Sequence, residues 1–124
     1  MGIPLIISAV PLVLLGVISL TLWHATINGT NPRNTLFGIR TAETKKNDAA
    51  WNAGHKAAAP SLHALGYLDI VLALLLIVIG LLIRDLSGPT VLIILTSAYV
   101  ITIGGFIYCA VRANAAAKKI DDAV

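Results

Sequence analysis

The sequence predicts an all-α integral membrane protein: three transmembrane helices, with an interfacial or cytoplasmic helix between the first and the second. Three observations carry this prediction. The chain has 124 residues, 57% hydrophobic and only 12% charged. That is about half the charged share of a soluble domain, too little to coat a water-facing surface. Long uncharged stretches approach or exceed the ~20 residues that a helix needs to cross a hydrocarbon layer. The Lys and Arg residues flank those stretches. Intrinsic disorder, which requires low hydrophobicity and high charge, is excluded on the same grounds.

Met1 to Trp23 holds no ionisable side chain. No Lys or Arg precedes it, and it is longer than the apolar core of a signal peptide, so it reads as a retained first span over about residues 3–25. Pro4 belongs near its start, and Pro11 falls inside, where it should kink or loosen the helix. The second span ends clearly at Arg84 and Asp85. Its unbroken apolar part, Ile70 to Ile83, covers only ~21 Å as a helix and must recruit upstream residues. Pro60 suits a first helical turn, which gives a span over 61–84 and sets Asp69 inside the apolar layer. Leu86-Ser87-Gly88-Pro89 is a turn by composition. Thr90 to Val111 is uncharged and forms the third span, 90–111. A tail over 112–124 carries Lys118, Lys119, Asp121 and Asp122. The whole is one membrane domain over 1–124. Small residues let helices approach in lipid, so Gly66, Ala73 and Gly80 are expected to form a seam with Gly104, Gly105 and Cys109.

The net charge of +3 does not point to nucleic acid, because the basic residues border apolar runs and set orientation instead. The segment between spans one and two, with the tail, holds eight Lys and Arg; the remaining one, Arg84, lies in the turn after span two. The positive-inside bias then places the N-terminus outside and the C-terminus in the cytoplasm. A single cysteine, Cys109, gives no intramolecular disulfide and no zinc motif.

The distinctive chemistry lies between Asn28 and His63. Asn28-Gly29 and Asn31-Pro32 favour turns. Asn47 can cap a helix that runs through Trp51 to Ala59, with Asp48 beside its positive N-terminal dipole. Trp51, His55 and Leu62 fall near one face of that helix, a pattern suited to the membrane interface. Lys45-Lys46 reads as a solvated pair near anionic lipid. Tyr67, Tyr99 and Tyr108 read as packing or interfacial residues.

Asn34, Gly38-Ile39-Arg40-Thr41, Thr44, Asn47, Trp51 and His55-Lys56 fall in the order N-x3-G-[IY]-R-[TS]-x2-T, a short gap, then W-x3-H-[RK]. The pattern resembles the signature of the SdpI family of bacterial multi-span membrane proteins, and covers roughly 25–30 residues. The resemblance implies a plasma-membrane protein that acts by binding. The founding members confer immunity to a secreted toxin peptide and are associated with holding a cytoplasmic repressor at the membrane. Ala59-Pro60 departs from the family, in which many members carry a small residue without a following proline, and the founding members have more than three spans. Asn34, Gly38, Ile39, Arg40, Thr41, Thr44, Trp51, His55 and Lys56 are the partner-binding candidates.

Arg40 lies two residues after Gly38, and its guanidinium can fork onto a carboxylate or phosphate. Its candidate partners are a lipid headgroup, a recognised protein, and Asp69, whose buried charge must pair or protonate. His55 and His63 are further candidates for that pairing. No G-x-S-x-G, H-E-x-x-H, P-loop or GxGxxG motif occurs, so no enzyme is expected; the alternative is an activity on lipid at an interface site formed by Arg40, His55 and Asp69. The histidines have no metal-ligand spacing, and no cofactor is expected. The expected partners are membrane lipid and a protein: a toxin peptide, a regulator, or a larger membrane complex to which this chain is an accessory subunit.

Overall fold

The computed structural model describes residues 2–121, so Asp122 of the expected tail lies outside the described residues. Three helices account for the fold: α1 (Ile3–Ile27), α2 (Asp48–Leu82) and α3 (Gly88–Lys118), each long and apolar enough to cross a membrane. The described residues contain no strand. Helix α2 lies in the middle, packed on α1 along one side and on α3 along the other, while α1 and α3 barely touch. The turn of residues 83–87 and the start of α1 share one end of the bundle. The loop of residues 28–47, the start of α2 and the end of α3 share the other.

The interfacial helix expected between the first two spans does not exist as a separate element. Helix α2 runs unbroken through Pro60 from Asp48 to Leu82. A proline inside a helix removes one hydrogen bond and crowds the preceding turn, at a cost of ~3 kcal/mol. Here its ring stands on an exposed position, while Ala58, Ala59 and Leu62 on either side are buried. Packing of that face offsets the local loss. Pro11 likewise lies at an exposed position inside a continuous α1. Helix α3 continues past Arg112 to Lys118, absorbing most of the expected tail; Ala113 and Ala117 are fully buried.

Buried positions repeat every three or four residues along α1, namely Leu5, Ala9, Leu12, Gly16, Ser19 and Leu22. They match a facing series on α2, namely Gly66, Asp69, Ala73, Leu76 and Gly80. In lipid such a seam gains from close packing, because the tails around it are as apolar as the core. A methyl group on Gly66 would sit 2.6 Å from the Leu20 side chain, and one on Gly80 would sit 2.7 Å from the Gly2 carbonyl. The glycine face of α2 therefore admits α1, not the α3 glycines expected from the sequence. Gly105 does meet Leu65 on α2, but Gly104 faces open space. Adjacent helical residues point about 100° apart, so only one of the pair can face α2. The crossing of α3 over the start of α2 depends instead on Gly54, where a methyl would stand 2.9 Å from the Ala113 carbonyl oxygen.

Candidate functional site

The loop end of the bundle is built from the inside out by the motif residues. Asn34 organises the first turn. Its Oδ1 accepts the backbone N–H groups of Leu36 (2.8 Å) and Phe37 (2.7 Å), and its Nδ2 donates to Asn31 Oδ1 (2.9 Å) and the Phe37 carbonyl (3.0 Å). Asparagine does this readily because its short amide mimics a backbone turn. Gly38 follows at φ +134°, where a methyl would stand 2.7 Å from the Trp51 ring and 2.8 Å from His55 Nε2. Only glycine permits both that backbone angle and that approach.

Trp51 and His55 hold the loop down on α2. Trp51 Nε1 donates to the Asn31 carbonyl at 3.0 Å, and His55 Nε2 accepts the Ile39 N–H at 2.9 Å. His55 Nδ1 donates to the Trp51 carbonyl at 2.8 Å. A backbone N–H can only donate, so the imidazole is neutral with its proton on Nδ1. His55 precedes the lipid-spanning part of α2. Burial pushes its pKa below the ordinary imidazole value, opposed by the bond to the Trp51 carbonyl. The two rings lie 4.2 Å apart, centre to centre. Trp51 is only 1% exposed, which corrects its reading as an interfacial anchor: the indole is wrapped by its own loop.

Thr41 and Thr44 lock the other limb. Thr44 Oγ1 donates to the Ile39 carbonyl (2.7 Å) and accepts the Thr41 N–H (2.9 Å), while Thr41 Oγ1 accepts the Thr44 N–H (3.1 Å). Asn47 caps α2 through the Ala50 N–H (2.8 Å) and ties down the end of α3 by donating to the Asp121 carbonyl (3.0 Å). Lys46 pairs with Glu43 at 2.9 Å, so Lys45-Lys46 is not the fully solvated pair expected. Ile39 packs on the Leu22, Leu62 and Ala113 cluster.

Two motif side chains take no part in this network. Arg40 and Lys56 are exposed, and the described residues offer neither a hydrogen bond nor an ion pair. The expected Arg40–Asp69 contact is absent. Arg40 leaves the loop toward solvent, whereas Asp69 faces the interior and accepts a hydrogen bond from Thr102 Oγ1 at 2.8 Å. His63 does not reach Asp69 either; it stacks on Trp23 at 4.1 Å and meets Tyr67 edge-on at 5.0 Å. Sequence reasoning missed Thr102 as a partner and Trp23–His63 as a stack.

Beside Lys56 a cleft of about 830 Å³ opens between the last turn of α1, the loop and the start of α2. Its polar lining includes Asn52, Lys56 and the Arg33–Asp48 ion pair (3.1 Å), and its apolar lining includes Ile27, Trp51 and Ala59. Such a lining accepts a group with an anionic or hydrogen-bonding head and an apolar body. The described residues contain no group of three or more His, Cys, Asp or Glu that could hold a metal ion.

No curated protein and no solved structure matches the chain. A family model, SdpI/YfhL protein family, matches residues 30–109, from the start of the motif loop through α2 and most of α3. The match therefore reaches well beyond the motif that carries the resemblance in the sequence, and it leaves out α1. Matched over more than half its length, the chain belongs to the SdpI/YfhL protein family.

Proposed function

We propose that the protein is a non-catalytic binding protein of the bacterial plasma membrane, and that its working face is the loop end of the bundle. The observation that carries this reading is the division of labour within the motif. Asn34, Gly38, Thr41, Thr44, Trp51 and His55 are engaged in holding the loop on α2, whereas Arg40 and Lys56 point outward, Lys56 at the rim of the cleft. A hydrogen-bonded scaffold that presents two cations and a mostly apolar cleft suits recognition of an acidic, partly apolar segment. With eight Lys and Arg near this end or its flanks against one in the turn, it faces the cytoplasm and the N-terminus lies outside. The partner is then a soluble regulator held at the membrane, or a toxin peptide engaged from the inner leaflet.

The test is photo-crosslinking in cells from positions 40 and 56, combined with deletion of the gene. The reading expects a discrete soluble or peptide adduct, with loss of regulator retention or sensitisation to toxin peptides. An accessory subunit would instead migrate with a fixed set of larger membrane proteins after gentle solubilisation, with unchanged sensitivity. That result, or cleavage between Asn34 and Ala59 by protease added to intact cells, overturns the proposal.

A further inference from the structure

Each helix places one polar side chain in the apolar interior: Ser19 from α1, Asp69 from α2 and Thr102 from α3, all at most 1% exposed. Thr102 Oγ1 donates to Asp69 Oδ1. The second carboxyl oxygen, Oδ2, is buried without a hydrogen-bond partner among the described residues, and so is Ser19 Oγ. Helix α1 packs against the Asp69 side chain. Gly16, one turn before Ser19, lies so close that a methyl there would stand 3.3 Å from Asp69 Cβ and 2.9 Å from the Gly66 carbonyl oxygen.

No cation meets the carboxyl among the described residues: the ion pairs formed between described residues, Arg33–Asp48 and Lys46–Glu43, both lie at the loop end. From α3 the titratable group within electrostatic reach is the Cys109 thiol, while the Tyr99 hydroxyl on the same helix donates to the Ser8 carbonyl at 2.6 Å. From α1 the facing residues are Gly16 and Ser19, neither titratable. On α2 itself, of the flanking ionisable residues, His63 stacks on Trp23 and Tyr67 meets His63 edge-on. A carboxylate anion with one donor and a bare second oxygen is the least favourable occupant of such a place, because a buried charge needs a counter-charge or a full set of donors. A neutral carboxylic acid fits it. Oδ1 serves as the carbonyl that accepts from Thr102, and Oδ2 carries the hydrogen, which removes the charge that this place cannot solvate.

We propose that Asp69 is an intramembrane proton-binding site, carrying its proton on Oδ2 while α1 and α3 are closed on α2. The site is independent of the partner-binding reading and stands or falls without it.

Infrared spectroscopy of the full-length protein in phosphatidylglycerol/phosphatidylcholine vesicles tests this at about pH 8, where ordinary carboxyls are ionised. The other acids, Glu43, Asp48, Asp85, Asp121 and Asp122, all lie outside the three apolar stretches. The expected result is a neutral-acid C=O band that moves on ¹³C-aspartate labelling, disappears in Asp69→Asn, and rises in frequency in Thr102→Val as the carbonyl loses its donor. Asp69→Asn, which imitates the neutral acid, should keep the thermal stability of the parent. The isotope experiment needs no variant, so a folding failure does not obscure it. A label-sensitive carboxylate band for an intramembrane aspartate with no neutral-acid band overturns the proposal, and so does an Asp69→Asn protein that unfolds while the parent stays folded.

Discussion

His55 Nε2 accepts the backbone N–H of Ile39, joining the loop to α2 across sixteen residues of sequence. Protonation of Nε2 would replace that acceptor with a second donor. Burial already holds the folded-state pKa below its ordinary 6.5, so between the two values the unfolded chain binds the extra proton. Stability is therefore complete above pH 6.5 and declines as pH falls below it, by at most about 1.4 kcal/mol per pH unit for one group. Protection of the Ile39 amide from hydrogen exchange should fall on acidification. A folded His55→Gln variant, which keeps an acceptor and does not titrate, should show a flatter profile.

Gly38→Ala combines a backbone angle that side chains rarely adopt with a clash against Trp51 and His55. The expected loss is about 2 kcal/mol or more. Gly29 has φ +65° but open space around it, so Gly29→Ala should cost only about 1 kcal/mol. Thermal unfolding in mild detergent measures the difference. Equal losses at both sites would remove the close approach of Gly38 to the two rings as a source of specificity.

The two glycine-bearing faces predict opposite responses to bulk. Gly66→Leu drives a side chain into Leu20 and the Gly16 carbonyl, and should separate α1 from α2. At Gly104 an added Cβ has nothing within 4 Å, so Gly104→Leu starts into open space and gains roughly 1 kcal/mol of helix propensity. Disulfide trapping between cysteines placed on α1 and α2 reports the seam. It should fail in the first variant and persist in the second.

Arg40→Ala and Lys56→Ala should leave thermal stability within about 0.5 kcal/mol of the parent, since both side chains are exposed and make no hydrogen bond or ion pair with the described residues. Both should weaken the crosslinks or phenotype assigned to the loop end. Trp51→Phe, which loses the bond to the Asn31 carbonyl, should lower stability by about 1–2 kcal/mol. A protease-susceptibility series across the three variants separates recognition from scaffold.

The helices were legible because lipid imposes one simple rule, absence of charge over a fixed length, and Asn47 announced its cap. Pro60 misled because its usual place is a first turn. Its real environment, an exposed ring with buried alanines alongside, depends on how α2 is rotated against its neighbours. The motif residues were visible as a set, but their roles were not. The acceptors of Trp51 and Thr44 are loop carbonyls, and the partner of the His55 ring is a backbone amide, groups that every residue carries and that leave no signal in composition. Arg40 and Asp69 were paired on depth alone. Depth does not fix azimuth, and Asp69 faces the other helices while Arg40 leaves the loop in another direction. Thr102 gave no signal beyond being polar at a seven-residue spacing from Cys109.

Helix α2 has 35 residues, about 52 Å of continuous rod against roughly 30 Å of hydrocarbon. Some three or four turns thus stand clear of the lipid as a rigid handle, with Lys56 on the handle and Asp69 on the submerged shaft. The helix runs continuously between them, through Pro60. A partner that gripped the handle would be acting on the same helix that carries the carboxyl.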